Sequence, residues 1–198
     1  MEYIIKSIND YSKDDVNNFY TEIPKLKKDR IDKYKNYESK TRLIVAEIIF
    51  SELLAKRNIS YNSLEYYNNE YGKSYLKNNN LFFNISHSFD YVITIISNKE
   101  IGIDIEKIRK TPFNVINQFA TEKEKEYILS SSKNIEERIF KIYTLKEAYF
   151  KMLGTNLNHI LEVEFIIEKD KIYCNDRNVK VGFINDIKGY VIAYCEKL

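Results

Sequence analysis

Between Ile101 and Glu106 the chain reads IGIDIE, a strict alternation that puts Ile101, Ile103 and Ile105 on one face of a strand and Gly102, Asp104 and Glu106 on the other. Upstream, TRLIVAEIIFSELLAKRN carries Leu43, Ala46, Phe50, Leu53 and Leu54 on one apolar face, which predicts a long buried helix. LFFNIS and YVITIIS read as strands joined by the loop HSFD, and EIGIDIE as a third strand hairpin-linked to the second. In ATEKEKEYILSS, Thr121 and Glu124 have the spacing of a capping box, so a helix starts there. IEERIFKIYTLKEAYFKMLG then predicts a helix of about four to five turns with Gly154 at its C-terminal cap. EVEFIIEKDKIYC and GYVIAYCEKL read as a hairpin and a final strand. The order helix, strands, helices, strands points to an α+β fold in two lobes that meet near residue 100.

Composition narrows the function classes. At 198 residues the chain can bury about 70% of its unfolded surface and build its own core. Its 31 basic and 29 acidic residues leave a net charge of +2, which implies no general affinity for nucleic acid. The apolar run in MEYIIKSIND is too short for a signal peptide and no stretch of membrane-spanning length occurs, so a cytoplasmic protein without a membrane partner is expected. With two cysteines, Cys174 and Cys195, neither a disulfide scaffold nor a four-cysteine zinc site is available.

The polar face of IGIDIE raises the chemical question. Asp104 and Glu106 stand about 6 to 7 Å apart along the strand. A wet face of an antiparallel sheet accounts for such a pair, but acidic residues are poor strand formers, and Gly102 leaves room for a ligand or another backbone. In the second long helix Tyr143, Glu147 and Lys151 follow at i, i+4 and i+8 and share one stripe, where Glu147 and Lys151 alone would make an ordinary helix ion pair. If that stripe crosses the carboxylate face, three carboxylates converge beside one ammonium and require a cation. All-oxygen ligands select magnesium, which takes phosphate oxygens as further ligands. Gly72 and Lys73 in EYGKSYL fit a turn offering an amide and an ammonium to a phosphate, and His87 in NISHS fits a phosphate contact in a loop.

These segments, taken in order, resemble the Sfp-type 4'-phosphopantetheinyl transferases, whose pattern is a GKP-like turn, FNxSHS, a strand bearing GxDxE and a helix bearing WxxKExxxK. The chain carries GKS at Gly72 to Ser74, FNISHS at Phe83 to Ser88, IGIDIE at Ile101 to Glu106 and YTLKEAYFK at Tyr143 to Lys151. Ser74 stands in place of Pro, and Tyr143 in place of Trp or Phe. The resemblance implies two similar lobes related by a pseudo-twofold axis with coenzyme A in the cleft between them, residues 1–100 supplying 3'-phosphate and pyrophosphate contacts and residues 101–198 the magnesium site and catalytic helix. It implies transfer of the phosphopantetheine arm of coenzyme A to a serine of an acyl or peptidyl carrier protein. By the same resemblance Asp104, Glu106 and Glu147 hold magnesium, Glu147 and Lys151 are catalytic, and Lys27, Lys28, Arg30, Arg42, Gly72, Lys73, Ser86, His87 and Lys151 contact coenzyme A. A monomer is expected.

Two other readings have sequence support. A metal-dependent nuclease with a D…(D/E)xK core needs its lysine two residues after the second acid, whereas Lys107 directly follows Glu106 and residue 108 is Ile. A non-enzymatic module would use PKLKKDRIDKYKNYESK to dock on an acidic partner, leaving the ordered motifs unexplained.

Overall fold

The computed structural model describes residues 1–77, 79–169 and 171–198. Its elements are β1 (Glu2–Ser7), α1 (Lys13–Glu22), α2 (Lys25–Ile31), α3 (Tyr37–Lys56), β2 (Tyr66–Asn68), β3 (Ser74–Leu76), β4 (Phe82–Ser88), β5 (Tyr91–Ser97), β6 (Ile101–Lys107), α4 (Glu122–Leu129), α5 (Ile135–Leu153), β7 (Phe165–Glu168), β8 (Lys171–Cys174), β9 (Val179–Ile184) and β10 (Tyr190–Lys197). One antiparallel sheet has the order β1-β5-β4 and a second the order β6-β10-β9. Each half thus runs strand, helices, long helix, small hairpin, two strands, and in each the last strand enters the middle of the sheet. The long helix α3 lies on the first sheet and α5 on the second. Among the described residues, no helix is long and apolar enough to cross a membrane.

The isoleucine face of β6 is the core between the two sheets. Ile101, Ile103 and Ile105 pack with Ile93 and Ile95 of β5, Ile184 of β9 and Ile192 of β10, and the first five are fully buried. β5 is buried on both faces, because Val92 and Ile96 turn away from this interface toward the α3 side. That double burial explains the unbroken apolar run YVITIIS. β5 and β6 do not form a hairpin because β1 and β4 occupy both edges of β5, so β6 crosses into the second sheet and pairs with β10.

Local signals account for the ends of the site-bearing helices. Thr121 caps α4, its side chain accepting from the Glu124 amide while the Glu124 carboxylate accepts from the Thr121 amide. Gly154 closes α5 at φ 69°, a left-handed conformation that suits glycine. The hairpin expected in EVEFIIEKDKIYC forms as β7 and β8; Asp170 of that segment lies outside the described residues.

Candidate active site

β4 and β6 lie side by side without a backbone ladder between them. Three side chains of β4 replace it: Asn84 Oδ1 accepts from the Ile103 amide at 3.0 Å, Ser86 Oγ from Ile105 at 3.3 Å and Ser88 Oγ from Lys107 at 3.2 Å. The pairs ascend together, so the two strands run parallel. This accounts for the alternation N-x-S-x-S, since only every second side chain faces the neighbouring strand. His87 is therefore a strand residue rather than a loop residue. Its side chain leaves the seam on the other face and borders the cleft.

The serines of this seam also hold the carboxylates of β6. Ser86 Oγ donates to Asp104 Oδ1 at 2.8 Å and Ser88 Oγ to Glu106 Oε2 at 3.3 Å. Helix α5 crosses the same face, and its contact with β6 is close because position 102 lacks a side chain. A β-carbon there would stand 2.0 Å from the Ala148 carbonyl oxygen. Gly102 thus makes room for a helix backbone, not for a ligand. The stripe Tyr143, Glu147, Lys151 arrives as the spacing requires, but its pairing differs from a helix ion pair. Lys151 Nζ donates to Asp104 Oδ1 at 2.6 Å and to Ser86 Oγ at 3.1 Å, while Glu147 accepts from Tyr143 Oη at 2.8 Å. Arg109, which sequence reasoning did not single out, donates to Glu106 Oε2 at 2.9 Å and stacks on Phe140. Burial holds the Glu147 carboxyl above its ordinary range, and the charges of Asp104 and Glu106 add to that against the opposing Tyr143 and Lys151.

These residues line a cleft of about 890 Å³, within the size range of sites for cofactor-sized ligands. Asp104, Glu106, Tyr143, Glu147 and Lys151 share its wall with Lys27, Arg30, Gly72, Lys73, Ser86 and His87. The basic residues play unequal parts. Lys27 is tied to Glu47 at 2.7 Å and sits 4.2 Å from the Tyr66 ring centroid, so its ammonium is spent in the wall. Lys28 points out of the cleft to the Thr21 carbonyl at 2.7 Å. Arg42 donates to the Phe89 carbonyl at 3.0 Å. Arg30 and Arg42 are both felt at His87, whose imidazole is held below its usual range first by burial and then by Arg42, Lys151 and Arg30.

The Gly72 turn forms, with φ at 82°, but its amides are used internally. Gly72 donates to the Asn69 carbonyl and Lys73 to Asn69 Oδ1 at 2.9 Å. The Lys73 ammonium reaches the Met152 carbonyl at 2.6 Å, and Asn69 Nδ2 reaches the Gly154 carbonyl at 2.6 Å. The hairpin β2–β3 is thereby clamped to the C-terminal end of α5, where carbonyls lack helical partners. Burial lowers the Lys73 ammonium to about 8. The expectation that this turn offers a free amide to phosphate is corrected by these bonds.

No three His, Cys, Asp or Glu side chains among the described residues are drawn together as a metal cage. Asp104, Glu106 and Glu147 nevertheless suit a hard divalent cation. All are oxygen donors on one wall, and Asp104 Oδ2 is buried without a hydrogen-bond partner among the described residues, a costly arrangement unless a ligand completes it. Lys107 turns to the Phe89 ring at 4.6 Å, away from the carboxylates, which leaves the nuclease reading without its lysine.

Comparison with known proteins identifies the family. The family model of the 4'-phosphopantetheinyl transferase superfamily matches residues 100–195. The 4'-phosphopantetheinyl transferase gsp of Aneurinibacillus migulanus is 30% identical over 199 residues, covering 96% of this chain and 83% of the relative. The Sfp transferase of Bacillus subtilis is 23% identical over 150 residues, covering 74% of this chain and 67% of the relative. Thermotoga maritima holo-[acyl-carrier-protein] synthase superposes with a TM-score of 0.42 at 28% identity, over 50% of this chain and 64% of that one. Matched along nearly its whole length by such a relative, with the motif residues gathered at one cleft, the chain belongs to the 4'-phosphopantetheinyl transferase superfamily.

Proposed function

We propose that this enzyme transfers the 4'-phosphopantetheine moiety of coenzyme A to a serine hydroxyl of an acyl or peptidyl carrier protein, releasing adenosine 3',5'-bisphosphate. The observation that carries the reading is the meeting of Asp104 and Glu106 on β6 with Glu147 and Lys151 on α5 in a cleft also lined by Arg30 and His87. Residues 1–100 would supply the phosphate-binding wall, through Arg30 and His87, and residues 101–198 the carboxylates and the catalytic helix. Asp104, Glu106 and Glu147 would hold magnesium. Such an ion, when bound, draws negative charge from the pyrophosphate.

The protein's own groups account for the rest. The serine oxygen bonds to the phosphorus bearing the pantetheine arm, the pyrophosphate bridge to the bisphosphate breaks, and Glu147 accepts the serine proton directly or through a water. Lys151 neutralises charge on the departing bisphosphate. His87, flanked by Arg42 and Arg30, faces the 3'-phosphate. The enzyme would act as a cytoplasmic monomer, with neither membrane nor nucleic acid as partner.

Incubation of the protein with coenzyme A, magnesium and apo carrier proteins of both kinds, followed by intact mass, tests the reading. Gain of one phosphopantetheine on a carrier is expected. Unchanged masses for every carrier would refute it.

A further inference from the structure

Each carboxylate on the β6 face is already met by an internal cation. Asp104 Oδ1 takes Lys151 Nζ at 2.6 Å, and Glu106 Oε2 takes Arg109 Nη1 at 2.9 Å. Three carboxylates, counting Glu147, against these two cations leave one negative charge uncompensated. A divalent cation entering at the unpartnered Asp104 Oδ2 would meet an ammonium bonded to the other oxygen of the same carboxylate, and like charges at that range repel. The two ends of the Lys151–Asp104 pair also differ in freedom. The Asp104 side chain is 5% exposed and fixed by Ser86, whereas that of Lys151 is 31% exposed and borders the cleft. The ammonium is the partner able to swing.

We propose that Lys151 stands in for the divalent cation: its ammonium occupies Asp104 until the pyrophosphate of coenzyme A draws it away, so that metal and coenzyme A bind together rather than metal first. The inference rests on the proposed function. If Lys151 left Asp104 with nothing replacing it, a buried carboxylate would lose its counter-charge, which is strongly unfavourable. Cation exchange therefore has to be matched, one departing as the other arrives. Ser86 keeps Asp104 Oδ1 oriented through the exchange, since its hydroxyl donates to that oxygen independently of the ammonium. Arg109, with 47% of its side chain exposed, leaves Glu106 at little cost. By linkage, coenzyme A raises metal affinity by the factor by which metal raises coenzyme A affinity, and couplings of this kind run to about 5–150-fold.

Manganese binding to the full-length metal-free protein, followed by the electron paramagnetic resonance of free Mn²⁺ with and without coenzyme A and with no carrier present, tests this apart from catalysis. Lys151→Met should bind Mn²⁺ alone about 10-fold tighter than wild type or better, and the enhancement by coenzyme A should shrink toward none. Lys151→Arg should bind Mn²⁺ alone more weakly than wild type, because a guanidinium grips a carboxylate through two bonds. If Lys151→Met binds no tighter than wild type, or if Lys151→Arg matches it, the stand-in role is overturned; in the latter case net charge alone sets affinity. Asp104→Asn separates this from the underlying reading: it should abolish Mn²⁺ binding, and retention of full affinity would show that the metal site itself is misplaced. Melting temperatures of all variants without metal verify folding.

Discussion

Lys146 and Glu124 form an ion pair from which water is wholly excluded, with 0% exposure of each side chain and 2.7 Å between Nζ and Oε2. Lys146 sits beside Glu147 in sequence but on the other side of α5, where it also donates to the Ile160 carbonyl at 2.9 Å. Glu124 accepts in addition from the amides of Thr121 at 2.7 Å and Phe165 at 2.8 Å. Removing one partner strands the other charge in the core, which costs about 3–5 kcal/mol. Lys146→Met fills the volume and leaves both amides satisfied, so a loss near the lower end, about 3 kcal/mol, is expected. Glu124→Ala strands the ammonium, orphans two amides and opens space, and should cost about 5 kcal/mol or more. For a chain of this length about 3 kcal/mol corresponds to a fall in Tm of about 6–12 °C. Urea unfolding of both single variants and of Lys146→Met/Glu124→Ala completes a double-mutant cycle. The double variant should be more stable than the sum of single losses implies, by about 2 kcal/mol or more, yet short of wild type because the amides of Thr121 and Phe165 lose their acceptor. Simple additivity, or a Lys146→Met loss under about 1 kcal/mol, would refute the claim that each charge of this buried pair depends on the other.

Gly102→Ala should drive α5 off β6 and cost about 1–3 kcal/mol in urea unfolding, with slower transfer in the intact-mass assay because Glu147 and Lys151 ride on that helix. The His87 imidazole is lowered in the free protein and would be raised by an adjacent phosphate, so coenzyme A binding should take up a proton there. Affinity then rises as pH falls from the raised bound-state value toward the lowered free-state value, and titration calorimetry of His87→Gln should show this component gone; an unaltered pH profile would remove His87 from the phosphate site. Lys151→Ala should lower kcat and kcat/KM together by about 100-fold, and steady-state rates within about threefold of wild type would leave it a merely structural ion-pair partner.

Patterns of period 3.6 were readable wherever one helix face met one core: the apolar face of TRLIVAEIIFSELLAKRN became α3, and the Tyr143, Glu147, Lys151 stripe became the wall of the cleft. The Thr121 box and the Gly154 cap were readable because each is settled by neighbouring residues. Pairing of distant strands was not. β6 pairs with β10 rather than β5, although YVITIIS adjoins it in sequence, because β1 and β4 take both edges of β5, which meets β6 only face to face through the isoleucines. HSFD looked like a loop, whereas His87 and Ser88 complete β4, since Ser88 is needed as an acceptor for Lys107. The basic residues of the N-terminal half had no readable register: charge alone does not tell Lys27, held by Glu47, from Arg30, which lines the cleft. Arg109 follows GIDIE without periodic signal and was missed.

The bonds that Asn84, Ser86 and Ser88 make to β6 work as a key for the alignment of the two halves. The apolar face between the sheets repeats the same residue, with Ile93 and Ile95 on one side and Ile101, Ile103 and Ile105 on the other. A slide of β6 by two residues would lay isoleucine on isoleucine again, so hydrophobic burial discriminates poorly between the native alignment and its neighbours. A ladder of backbone carbonyls would be equally indifferent, being identical at every rung. Teeth of unequal length are not. Asn84 reaches farther than either serine, and a shifted β6 would also carry Asp104 away from Ser86 and Lys151 together. One mismatch therefore forfeits several charge-assisted bonds at once, and the site that needs its carboxylates in place is also what selects the alignment that puts them there.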